Sequence, residues 1–70
     1  MNMDEEVLNM SVRKFLKKVG ITSQREIEKV INQAVANGDL DQNSVCKVSM
    51  QLSIDVSDKP LVIDGEIQLS

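Results

Sequence analysis

Seventy residues carrying a net charge of −3 make one small domain, with one Cys, one Phe, one Pro and three Gly and no His, Trp or Tyr. A chain of this size buries only about 60% of its unfolded surface, and its lone Cys46 and missing histidines exclude an internal disulfide or a histidine-bearing zinc site as a staple. A histidine general base is excluded too, and glycines at 20, 38 and 65 alone spell neither a Walker-type loop nor a dinucleotide fingerprint.

The charge is uneven. Residues 1–38 hold six bases and five acids, whereas residues 39–70 hold two bases and six acids. Weak overall acidity argues against a general nucleic-acid binder, which shows a broad basic surface. One unpaired cysteine fits a reducing compartment. The acidic start (Asp4, Glu5, Glu6) does not read as a signal peptide, and no apolar run approaches the roughly 20 residues of a membrane span. The expectation is a soluble cytoplasmic protein, with a second copy of the chain supplying the buried area that one copy lacks.

In chain order, a first helix is predicted over about residues 4–19, where Leu8, Val12, Phe15, Leu16 and Val19 follow the 3.6-residue period. Acids at its start and Lys17-Lys18 at its end suit the helix dipole, and Gly20 suits a left-handed cap. A second helix is predicted over about residues 24–37, with Ser23 and Glu26 forming a capping box and Thr22 as an alternative cap. Ile27, Val30, Ile31, Ala34 and Val35 make its apolar face, and Gly38 ends it.

Strict alternation follows. Cys46, Val48, Met50, Leu52, Ile54 and Val56 share one face of a strand over about residues 45–56. Leu61, Ile63, Ile67 and Leu69, interrupted by Gly65, share one face of a strand over about residues 61–69. Turning at Ser57-Asp58-Lys59-Pro60 pairs Val56 with Leu61 and sets Leu52 opposite Gly65, a register that a one-residue slip would destroy. The predicted fold class is α+β: two N-terminal helices packed on one face of a C-terminal antiparallel β-hairpin, in the order ααββ, as a single domain over residues 1–70.

Candidate chemistry is sparse. Cys46 falls on the inward parity of its strand and reads as a small core residue rather than a nucleophile. Asp39-Leu40-Asp41-Gln42-Asn43 opens like a calcium loop but fails at Ser44, where Gly is needed, and at Met50, where Glu is needed. No catalytic residue, cofactor or metal site is expected.

Two surfaces remain. Arg13, Lys14, Lys17 and Lys18 surround the last turns of the first helix, and Arg25 and Lys29 extend the patch if the helices run antiparallel. With the free amides near Ser23 they would hold a phosphate or carboxylate; the plainer account is dipole compensation and solubility. Met3, Val7 and Met10 form a second apolar strip on the first helix and are candidates for self-association.

Phe15-Leu16-Lys17-Lys18-Val19-Gly20-Ile21 resembles the turn of a DNA-binding helix–turn–helix. Leu16 is too large for the close crossing, Glu26 and Lys29 stand where apolar residues belong, and Glu26 and Glu28 would face the phosphates. The resemblance stops at the turn. The stretches Asn9–Gly20 and Ser23–Lys29 together resemble a family of small bacterial proteins of this length with no assigned activity. That resemblance implies a bacterial cytoplasmic origin and supplies no functional residues. The reading that follows is a non-enzymatic interaction module, a homodimer with a protein partner, making contact through the apolar strip or the open strand edges; an anion- or nucleic-acid-binding module using the basic patch is the runner-up.

Overall fold

The computed structural model describes residues 3–70. It comprises one helix, α1 (Glu5–Ala36), and two strands, β1 (Val45–Leu52) and β2 (Leu61–Gln68). The chain divides into two compact units, residues 1–34 and 35–70. The class is α+β, but one helix stands where two are predicted.

Both true ends of α1 follow cap chemistry. Asp4 is the N-cap: its Oδ1 accepts from the amides of Glu6 at 3.0 Å and Val7 at 3.2 Å, and its carbonyl accepts from Leu8 at 3.0 Å. At the other end Gly38 takes φ +81° and donates its N–H to the Val35 carbonyl at 3.1 Å. Only glycine adopts that conformation without a steric penalty.

The predicted break at Gly20 to Ser23 does not form. Stopping there would orphan four carbonyls and four amides, whereas running through costs about 1 kcal/mol for Gly20. No proline stands within α1 to force the issue. Gly20 is therefore not a C-cap, and Ser23 and Glu26 are not a capping box. An alanine Cβ at Gly20 meets nothing within 4 Å. Gly20→Ala should accordingly raise helix stability by about 1 kcal/mol in urea unfolding followed by circular dichroism; a loss of stability would mean that the chain needs a turn there.

A polar connection joins α1 to β1. Asp41 Oδ1 accepts from the Asn43 amide at 2.9 Å, Ser44 Oγ accepts from the Asp41 amide at 3.1 Å, and the Ser44 amide donates to the Asp41 carbonyl at 2.9 Å. Asp41, in the stretch that only superficially opens a calcium loop, is thus the hinge of a local turn.

The hairpin is a two-stranded antiparallel sheet with Leu52 opposite Leu61, Met50 opposite Ile63, Val48 opposite Gly65 and Cys46 opposite Ile67. The expected register is wrong by four residues, and β1 ends at Leu52 instead of Val56. The shared apolar face survives, because an even offset preserves parity. Pro60 supplies the physical reason: it lacks an N–H and drives Lys59 to extended geometry, which spoils a tight turn over residues 57–60. The chain turns earlier, with the Ser57 amide donating to the Ile54 carbonyl at 3.0 Å and Ser57 Oγ donating to the Lys59 carbonyl at 3.3 Å. Val56, expected on the oily face, is 94% exposed in this loop.

Gly65 faces Val48, not Leu52. A Cβ added there would lie 3.6 Å from Val48 Cγ2, an ordinary contact, so the glycine is not reserved for a close approach. Gly65→Ala should stabilise the hairpin by about 0.5–1 kcal/mol through lost backbone freedom in the unfolded chain. Destabilisation in the same urea titration would contradict this register.

Candidate functional site

One continuous helix redraws the basic patch. At 100° per residue, Lys14, Lys18, Arg25 and Lys29 fall within about 60° of each other on the helix circumference and span about 22 Å along its axis. The antiparallel helices invoked to bring Arg25 and Lys29 alongside are not needed. Arg13 and Lys17 lie on the adjoining side, at about 220° and 260° on the same wheel.

Of the plainer account of these bases, dipole compensation no longer applies, while solubility still does. Lys17 and Lys18 sit in the middle of α1, far from the negative end of the dipole, and the last turn carries no base. Three like-charged pairs stand four residues apart: Arg13 and Lys17, Lys14 and Lys18, Arg25 and Lys29. Each costs the helix about 0.2–0.5 kcal/mol. The proposed anion-holding amides near Ser23 are absent, because residue 23 lies inside the helical ladder. At the real N-terminus the Asp4 carboxylate occupies the free amides itself.

The apolar strip is in place. Met3 precedes the cap, Val7 and Met10 lie on the first turns of α1, and all three are exposed, Met10 by 70%. A shallow depression beside them is lined by Glu5, Glu6, Asn9 and Met10.

A larger apolar surface was assigned by sequence to an internal core. Val12, Phe15, Leu16 and Val19 repeat fifteen residues later as Ile27, Val30, Ile31 and Ala34, each quartet spaced i, i+3, i+4, i+7. Phe15 and Leu16 are 55% and 56% exposed, and Val12 and Val30 are exposed as well. Val19, Ile27, Ile31 and Ala34 are half-buried. A shallow groove lined by Phe15, Lys18, Val19, Thr22 and Ser23 runs beside the first quartet. Among the described residues none is buried.

Cys46 is half-buried, its Sγ 3.8 Å from the Lys47 carbonyl. On the other face of the hairpin Lys47 stands directly opposite Glu66 and Ser49 opposite Asp64, complementary pairs that reinforce the register. Among the described residues no group of three His, Cys, Asp or Glu is placed to hold a metal ion, and no helix is long and apolar enough to cross a membrane.

One protein-family model matches residues 3–70, the helix and the hairpin together. The chain belongs to DUF6494, a family of unknown function. The DUF6494 match extends through the hairpin, beyond the stretches Asn9–Gly20 and Ser23–Lys29 that carry the resemblance in the helix. Neither the curated proteins nor the solved structures contain a match to this chain.

Proposed function

We propose that this chain is a small non-enzymatic interaction module that works as a homodimer and engages a protein partner. The observation that supports it best is the absence of any buried residue among residues 3–70, beside a long set of exposed Val, Leu, Ile, Met and Phe side chains. Folding is driven by taking apolar surface out of water, and the side chains that would supply that drive are still wet. Association completes what one copy leaves undone, as in obligate dimers whose folding and assembly are inseparable. Exposed apolar surface stands in three places: the paired quartets along α1, the strip formed by Met3, Val7 and Met10, and the hairpin with Met50, Leu61 and Ile63. Sedimentation at micromolar concentration should return the mass of two chains. A one-chain mass persisting at high concentration would overturn the dimer.

The alignment of Lys14, Lys18, Arg25 and Lys29 favours a second reading. Four cations in line over about 22 Å of helix match the spacing of a phosphate backbone better than a scattered solubilising charge would. On this reading the chain binds an anionic polymer through α1, with Arg13 and Lys17 reinforcing the field from the side.

A further inference from the structure

We infer that two copies pair through α1 in antiparallel order, about a two-fold axis at Ser23. This deepens the homodimer reading and rests on it. The spacing i, i+3, i+4, i+7 reads the same in both directions. An axis at Ser23 therefore sets each residue opposite the one whose number completes 46, and the first quartet falls wholly on the second. Val12 meets Ala34, Phe15 meets Ile31, Leu16 meets Val30 and Val19 meets Ile27, in both halves at once. The larger aromatic faces a branched aliphatic, and the centre carries a small side chain that lets the backbones approach.

Charge selects the direction. A parallel pair would set Arg13, Lys14, Lys17 and Lys18 level with the same four bases of the second copy. The antiparallel pair sets Lys18 level with Glu28, Lys17 level with Lys29, and Lys14 and Arg13 level with the neutral Asn32 and Gln33, so one like-charged level replaces four. The helix dipoles also oppose one another only in that order.

The pattern fixes the hand of the pair. Fifteen residues are four turns plus about 60°, so the apolar stripe repeats every ~3.75 residues and drifts around the helix. A period above 3.6 requires a right-handed supercoil. The strip with Val7 and Met10 and the line through Lys14 and Lys29 lie away from the paired face and remain free for other partners.

Disulfide mapping in the full chain tests this. In a Cys46→Ser background, Ser23→Cys, Val19→Cys, Ile27→Cys and Met10→Cys are made singly and oxidised in a glutathione buffer, and covalent dimer is scored on a non-reducing gel. Helix axes about 8–10 Å apart bring the two residues 23 within disulfide reach. Ser23→Cys should couple with itself at least about tenfold faster than Val19→Cys or Met10→Cys, whose copies stand too far apart. A mixture of Val19→Cys and Ile27→Cys should give the crossed dimer. Rapid self-coupling of Val19→Cys would establish a parallel pair, and of Met10→Cys a pair through the other strip. Either result overturns this inference while leaving the homodimer standing. No coupling at Ser23 or in the mixture overturns it as well, and a one-chain mass in sedimentation removes the homodimer with it.

Discussion

Ile27→Asp is expected to abolish self-association at micromolar concentration. Ile27 is half-buried on the face that carries both quartets, and in a two-fold pair every substitution strikes twice. Losing the burial of one aliphatic side chain costs about 2 kcal/mol, so the pair loses about 4 kcal/mol, roughly a thousandfold in affinity. An aspartate stripped of water adds to that loss. Because folding is coupled to assembly, the variant should also lose much of its helix signal in circular dichroism at that concentration. Asn32→Asp, which adds the same charge on the far side of α1, should leave association unchanged. Sedimentation equilibrium on the two variants decides the matter: equal masses would mean that the quartets are not the contact.

The double substitution Lys14→Glu, Lys18→Glu tests the second reading. Four aligned cations on a phosphate backbone predict that affinity falls with salt at a log–log slope of about −3 to −4. Reversing two of them should lower affinity for labelled DNA or RNA at low salt by about a hundredfold and reduce the slope to about −2. Lys18 borders the groove beside Phe15 and Val19, so sedimentation of the same variant separates lost polymer binding from lost self-association. Wild-type protein that binds neither polymer at low salt would remove nucleic acid from consideration.

Much of this fold was legible in the residues, and the failures share one cause. Asp4 and Gly38 carry the same cap chemistry as Ser23 and Gly20, yet only the outer pair terminates the helix. Cap residues permit an end; they do not compel one. The inner pair would have needed tertiary contacts to offset the orphaned amides and carbonyls. The 15-residue offset between quartets compounded the error, because a 60° jump in the apolar stripe mimics a restart of helical phase. In the hairpin, parity told which side chains share a face, since each residue alternates. Parity is blind to an even slip, and so the four-residue shift of register escaped it.

The candidate surfaces were legible in identity and not in arrangement. Met3, Val7 and Met10 are exposed as their spacing suggested. The six bases are plain in the sequence, but the alignment of Lys14, Lys18, Arg25 and Lys29 depends on a helix that does not stop at Gly20. Val12, Phe15, Leu16 and Val19 were read as core, the ordinary meaning of an amphipathic stripe. Their exposure is what makes that stripe the proposed interface, and no periodicity records whether a covering layer comes from the same chain.

Thermal unfolding followed by circular dichroism over a hundredfold range of protein concentration is the most direct check on that substitution of partner for core. Assembly coupled to folding predicts a melting midpoint that climbs steadily with concentration. A midpoint that holds constant across the range, with a sharp cooperative transition, would show that one copy is stable alone and contradict the account.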